Sequence, residues 1–314
     1  MNKTFREAVE DALIDGLTDN PSVVLLGQPP AKYPENLASR VMDIPFGENI
    51  AASAALGLAM TGAKPIVFIR GEYLLRSLDA IGNEMTVTDA MYNSQFDSAV
   101  VIMSEIGYFP HGGPQLSQSF EAMFTQFPSL SVVYPSNPGD AGALLRAAVQ
   151  HDKSVLFLSG KSLLDESGEI SGEEEDIQIG KASVVREGSE MTIVTYGSMT
   201  GVCLKAAELA NESGLSCEVI DLRTIHPIDS AAIVESVKKT GKLMIVHEAR
   251  KTGGIGAEIA ARIAESDALF YLERKIMRVC SKDSEIPYSQ KEYGKVVPNE
   301  EDVLKAIIQL STGE

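Results

Sequence analysis

Positive charge is scarce in this 314-residue chain: 27 Lys and Arg stand against 44 Asp and Glu, a formal charge of −17. A surface that acidic repels phosphate backbones and anionic headgroups. No cluster of basic residues offsets it, so nucleic acid and membrane surfaces are not expected partners. Long apolar runs are missing too. The longest weakly polar stretch, Ile50 to Ala59, falls short of the roughly 18–20 residues that a membrane helix needs. Cysteine is nearly absent: Cys203, Cys217 and Cys280 form no CxxC pair and no metal-ligand spacing, which points to reduced, buried thiols in a cytoplasmic protein. The opening MNKTFREAVEDAL has an acidic amphipathic helix pattern rather than that of a signal or transit peptide. Neither half contains short repeats or low-complexity tracts.

What is present is ordinary globular composition, 44% hydrophobic and 23% charged, with enough length for two domains. Short β-branched runs at Ser22–Gly27, Lys64–Ile69, Ser98–Met103, Leu130–Ser136 and Ser154–Ser159 read as buried strands. Helical patterns lie between them at 49–61, 75–91 and 139–150. The alternation restarts after an acidic tract, Asp165 to Ile179, with strands near 191–197, 217–225, 243–249 and 276–280, and helices near 202–212, 230–240, 255–265 and 300–310. The expected class is therefore α/β, two domains, each a mainly parallel sheet flanked by helices. The expected boundaries are 1–165, an acidic linker or exposed arm at 166–180, and 181–314.

The segment richest in chemistry is MDIPFGENIAASAALGLAMTG, Met42–Gly62. A Pro-containing turn delivers Glu48 to the start of a helix of small residues, which can pack closely against another backbone. On local pattern alone the helix dipole is sufficient reason for a glutamate there, worth a few tenths of a kcal/mol.

Read end to end, the chain resembles the β subunit of the thiamine-diphosphate-dependent E1 component of 2-oxo acid dehydrogenases, within the transketolase-like group. The resemblance rests on FREAVEDAL, VVLLG, DIPFGEN where the family has D-T-P-I-S-E-N, and GLAMTGAKPIVFIRGEYLLRSLDAIGNE. It continues through GPQLSQSFEAMF, LSVVYPSNPGDAGALLRAA, IGKASVVREGSEMTIVTYG, CEVIDLRTIHPID and VHEARKTGGIGAEIAARI, in order. It implies a pyrimidine-binding domain followed by a transketolase C-terminal domain. It also implies a catalytic Glu48 that hydrogen-bonds N1′ of the cofactor aminopyrimidine and favours its imino tautomer. Tyr73 falls where the family stacks an aromatic on that ring. Arg76 and Asp79, on the following helix, either line the cleft or form surface pairs, and the second is the reading preferred.

A Mg²⁺-diphosphate motif, usually G-D-G followed by Asn, is missing; the nearest string, Gly139-Asp140-Ala141, lacks the final Gly. The resemblance therefore implies an α-type partner subunit that supplies the Mg²⁺ and diphosphate ligands in an α₂β₂ heterotetramer. The implied reaction is decarboxylation of a 2-oxo acid to an enamine, then acyl transfer to lipoyl-E2. Backbone carbonyls near Ala148–Lys153 are where the family can hold a monovalent cation such as K⁺.

Two departures stand out. Leu116 occupies the place of a histidine in the family's H-S-Q-S motif, and leucine can neither donate a proton nor carry charge. His111, in the Gly-rich FPHGGP, is the nearby candidate for acid–base work; a merely exposed histidine is the alternative. Gln28 replaces a usual glutamate in LLGQPP. Leu116 keeps two other readings open: the C-terminal subunit of a split transketolase-like enzyme or ligase with an aldehyde acceptor, and a non-catalytic assembly subunit. His226 and His247, both at strand ends, are expected to be structural.

Overall fold

The computed structural model describes residues 2–28, 33–44, 47–170 and 177–313. The chain divides into two compact units, Met1–Ile106 with Met123–Ile179, and Gly107–Ala122 with Gly180–Glu314.

The first unit begins with a short strand, β1 (Asn2–Thr4), and the helix Phe5–Asp19. Thr4 caps that helix by accepting from the Glu7 N–H, while Glu7 accepts in return from the Thr4 N–H, a reciprocal arrangement that satisfies two otherwise unpaired donors. Phe5, Val9, Leu13 and Leu17 follow at four-residue spacing and are buried. They share one core cluster with Ala141, Leu144, Leu145 and Ala148 of the helix Pro138–Gln150. The strands are β2 (Val23–Leu26), β3 (Val41–Met42), β4 (Lys64–Phe68), β5 (Val101–Ile106), β6 (Leu130–Val133) and β7 (Ser154–Gly160). They lie side by side as β6-β7-β5-β4-β2-β3, and every one of these pairs is parallel.

In the second unit the strands are β9 (Ser183–Arg186), β10 (Met191–Thr195), β11 (Cys217–Asp221), β12 (Thr224–His226), β13 (Leu243–Arg250) and β14 (Met277–Ser281); β8 (Ser167–Glu169) still belongs to the first. Five of them form a sheet in the order β14-β13-β10-β11-β9, parallel except for β9. Helices Met199–Glu212 and Glu300–Thr312 bury Cys203, Ala206, Ala207, Val303 and Ile307 against it. Each unit is thus a mainly parallel α/β layer.

Four sequence expectations are corrected. The strand read at 98–103 lies at Val101–Ile106, because the ladder with β7 continues through the polar Ser104 and Glu105. The helix read at 75–91 is a 3₁₀ segment, Gly71–Ser77, a π segment, Ala80–Met85, and one α turn, Thr88–Met91. A Cβ on Gly82 would lie 2.5 Å from the Phe127 ring, so a side chain at that place would meet the ring. The tract read as a linker is not all solvated. Its Ser167–Glu169 pairs with β1, antiparallel, and Ile177 and Ile179 pack on the first core. Its residues 171–176, like Pro45 and Phe46 of the DIPFGEN turn, lie outside the described residues. Finally, residues 107–122 group with the second unit, whose Tyr196, Glu248 and Arg250 hold them.

Candidate active site

Glu48 and Tyr73 both follow carboxyl ends of parallel strands, the first after β3, the second after β4. Ligands of open α/β sheets bind beyond those ends. Glu48 opens the helix Glu48–Ala59, whose preceding residue, Gly47, supplies no side-chain cap. A carboxylate in that first turn complements the unpaired backbone N–H groups. Its side chain is only 9% exposed. The small residues behind it, Ala51, Ala52, Ala55 and Ala59, are buried, and Ser53 donates to Glu84 Oε2 at 2.8 Å, tying this helix to the π segment.

Tyr73 stands on the 3₁₀ segment. Gly71 begins that segment, and any Cβ there would lie 1.9 Å from the Glu105 carbonyl oxygen, so only glycine lets the turn press on the end of β5. Next to it, Glu72 receives Lys161 Nζ at 3.2 Å and lies 3.3 Å from Arg70 Nε. Burial by itself raises the Glu72 carboxyl, but its own backbone N–H and the Lys161 and Arg70 cations outweigh that and hold it below the ordinary carboxylate value. Tyr73 donates its backbone N–H to the Arg70 carbonyl at 2.8 Å, and Leu74 beside it is fully buried. The ring is therefore carried on a fixed turn.

Arg76 joins the two predicted residues. Its guanidinium carbon lies 4.4 Å from the centre of the Tyr73 ring, and Nη1 lies 3.7 Å from Glu48 Oε2. Of the two sequence readings of Arg76, cleft or surface pair, the contacts fit the cleft. On a 3₁₀ segment, side chains three apart eclipse each other, which sets Arg76 over Tyr73. Asp79, by contrast, makes the local pair expected of it, accepting from Asn83 Nδ2 at 2.6 Å.

His111 lies in the second unit, apart from that cluster in the division of the chain. It is exposed and left-handed, with φ of 60°. Its loop is closed by Gly107 N–H donating to the Gln118 carbonyl at 2.8 Å and by Ser117 Oγ 3.2 Å from Phe109 N. Leu116 ends the short helix Gly113–Leu116 and is half-buried.

A buried acidic pair in this unit has no counterpart among the predicted residues. Glu121 accepts from the Tyr196 hydroxyl at 2.9 Å, while its other oxygen has no partner among the described residues. Burial, with the nearby Glu248 carboxylate adding to it, pushes Glu121 up to about 7. Glu248 is also raised by burial; it accepts from Tyr108 N at 2.5 Å and from the Ser198 hydroxyl. The visible signal is an acid inside the apolar run SFEAMF.

The remaining candidates are structural in character. His247 is buried, receives the Gly256 N–H at 3.3 Å on Nε2, and is pushed down to about 4 by burial, so it is neutral. His226 is half-buried and lowered by burial. All three cysteines are free, two buried and Cys280 partly so. Burial raises each thiol, Cys203 to about 12 and Cys217 and Cys280 to about 11, which leaves them protonated. In the GDA string, Asn137 caps the helix Pro138–Gln150. Its Oδ1 accepts from the Asp140 N–H at 2.9 Å and its Nδ2 donates to Asp140 Oδ2 at 2.9 Å, so the aspartate serves the cap. The segment Ala148–Lys153, where backbone carbonyls are expected to hold a monovalent cation, spans the end of the helix Pro138–Gln150 and lines a cleft with Lys64 and Val101. Gln28 is exposed.

Comparison with known proteins fits this architecture. The transketolase pyrimidine-binding domain matches residues 2–166 and the transketolase C-terminal domain matches 180–303. The chain is 35% identical to the pyruvate dehydrogenase E1 component subunit beta of Rickettsia bellii (strain RML369-C), covering 98% of both chains. It is 34% identical to that of Bacillus subtilis (strain 168) over 96% of each. It is 42% identical to the mitochondrial 2-oxoisovalerate dehydrogenase subunit beta of Dictyostelium discoideum, over 80% of this chain and 68% of that one. A solved structure titled a split gene transketolase, inactive beta4 tetramer, shares the fold, with a TM-score of 0.79 at 21% identity over 98% of both chains. The chain therefore belongs to the family of E1 β subunits of 2-oxo acid dehydrogenases, built from a transketolase pyrimidine-binding domain and a transketolase C-terminal domain.

Proposed function

We propose that this chain is the β subunit of a thiamine-diphosphate-dependent E1 component that decarboxylates a 2-oxo acid, with Glu48 and Tyr73 holding the aminopyrimidine end of the cofactor. One observation carries the reading: the Tyr73 ring and the Glu48 carboxylate already hold one flat N–H donor between them, the Arg76 guanidinium. A site that accepts such a group has the flat apolar face and the buried acceptor that an aminopyrimidine requires.

When bound, the cofactor supplies a carbon nucleophile and an electron sink for decarboxylation. The chain's own residues do the rest. Glu48, with its side chain 9% exposed at a helix start, would hold the aminopyrimidine at N1′ and so set where the ring carries its proton. Tyr73 excludes water from one ring face and fixes its plane. His111 is the proton-transfer candidate of this chain.

The Mg²⁺ and diphosphate ligands are assigned to an α-type subunit, in an α₂β₂ assembly. Asp140, the nearest candidate here, is engaged in a helix cap. The acceptor proposed for the acyl group is lipoyl-E2, and the setting proposed is the cytoplasm. No described helix is long and apolar enough to cross a membrane.

Leu116 favours a second reading, in which the fragment passes to an aldehyde. The test is to isolate the chain with its native partner, titrate thiamine diphosphate with Mg²⁺, and assay 2-oxo acid decarboxylation with lipoyl protein and with aldehydes as acceptors. Binding that is lost in Glu48→Gln and Tyr73→Ala supports the reading. Unchanged binding and turnover in Glu48→Gln reduces the chain to an assembly subunit.

A further inference from the structure

Arg76 is the member of the cluster for which the proposed chemistry has no task. Its guanidinium is planar and carries N–H donors; it covers a face of Tyr73 at 4.4 Å and reaches Glu48 at 3.7 Å. An aminopyrimidine is planar, carries an amino group, and needs the same aromatic ring and the same carboxylate. One acceptor and one stacking face do not serve two flat groups together.

The three side chains also differ in freedom. Glu48 is 9% exposed and Tyr73 sits on a turn fixed by a buried neighbour, whereas the Arg76 side chain is 63% exposed. A solvent-exposed arginine gives up a cation–π contact and an ion pair at small cost. Glu48 and Tyr73 keep their places when it leaves.

We propose that Arg76 is a built-in competitor for the aminopyrimidine subsite: it pairs the buried carboxylate and covers the ring until the cofactor displaces it. The inference rests on the cofactor reading given above. The apparent affinity then equals the intrinsic affinity reduced by the fraction of molecules in which Arg76 has swung away. From the modest strength of the two contacts, that reduction is about 3- to 10-fold.

The experiment is a calorimetric titration of the complex with its native partner, at fixed Mg²⁺, using thiamine diphosphate and, in parallel, thiamine. Thiamine lacks the diphosphate, so it reads the pyrimidine subsite apart from the partner's contribution. Arg76→Ala and Arg76→Gln are expected to bind both probes about 3- to 10-fold more tightly than the native chain. Arg76→Lys, which keeps the charge and loses the plane, falls between. In a Glu48→Gln background the gain shrinks, because one of the two contested contacts is gone. Equal or weaker binding by Arg76→Ala and Arg76→Gln overturns the competitor role and leaves the cofactor reading intact. Failure of the native complex to bind thiamine diphosphate at all overturns the cofactor reading, and this inference with it.

Discussion

Lys161 Nζ lies 3.2 Å from Glu72 Oε2, and the two side chains are 10% and 7% exposed. Lys161 follows the end of β7, and Glu72 immediately precedes Tyr73, so this pair fastens the turn that carries the aromatic to the end of the sheet. Lys161 is thus a positioning residue for Tyr73. Removing one partner of a buried pair leaves the other charge uncompensated, at about 3–5 kcal/mol; Arg70, 3.3 Å from the other oxygen, offsets part of that.

Lys161→Met is therefore expected to lower the unfolding free energy by about 2–3 kcal/mol at neutral pH, measured by urea denaturation followed by circular dichroism. The sign with pH follows from Glu72. Its carboxyl is held below the ordinary value in the folded chain, so its contribution is present above the unfolded value and is lost as pH falls. The variant and the native chain should converge in acid. A difference independent of pH would assign the effect to lost packing instead.

Glu121 gives the opposite slope. Burial raises it from 4.5 to about 7, so between those values the folded chain binds more protons than the unfolded one. Stability then falls as pH rises through that window. Burial raises Glu248 as well, so it contributes a slope of the same sign. Glu121→Gln, which resembles the neutral acid, should be close to the native chain at pH 5 and more stable than it at pH 8. Thermal melts at the two pH values decide the point; parallel melts would show that Glu121 does not titrate in this range.

His111 adopts a φ of 60° that costs a non-glycine residue about 1 kcal/mol or more. His111→Gly relieves that cost, so the melting temperature should hold or rise slightly. If His111 moves a proton in the reaction, kcat drops by about 100-fold or more while thiamine diphosphate affinity stays the same. A variant that keeps full kcat would assign the histidine to the surface.

Asn137 and Asp140 test the missing metal motif. Asn137→Ala removes a helix cap and should cost about 1 kcal/mol. Asp140→Asn should leave the Mg²⁺ dependence of cofactor binding unchanged. A shift in that dependence would place a metal ligand in this chain after all.

Much of the fold was legible because buried parallel strands announce themselves as β-branched runs, as at Val23–Leu26 and Ser154–Gly160, and because helix 5–19 carries a capping box and a strict four-residue apolar period. Glu48 and Tyr73 are proposed through register with known motifs, since neither has a distinctive local pattern. The cleft is one of the two sequence readings of Arg76; its stacking on Tyr73 comes from the 3₁₀ segment, where side chains three apart eclipse, and sequence pattern does not report that segment. Strand β8 was missed because Ser-Gly-Glu has no apolar content; its partner β1, far away in sequence, supplies the ladder. The grouping of 107–122 with the second unit goes with contacts between residues far apart in sequence, Glu121 with Tyr196 and Tyr108 with Glu248, which sequence pattern does not report.

That last grouping has a bearing on how the protein can be taken apart. The second unit takes sixteen of its residues, 107–122, from the middle of the first unit's sequence. A protease cutting in the acidic tract near 171–176 would sever the backbone once and still not yield two whole units. The C-terminal piece would retain Tyr196 and Glu248 with their hydrogen-bonding mates, Glu121 and the Tyr108 amide, left behind on the other fragment. The two pieces of such a nicked chain are expected to stay together through the second unit, whereas a gene fragment starting at residue 180 lacks the hydrogen-bonding partners of its own buried Tyr196 and Glu248.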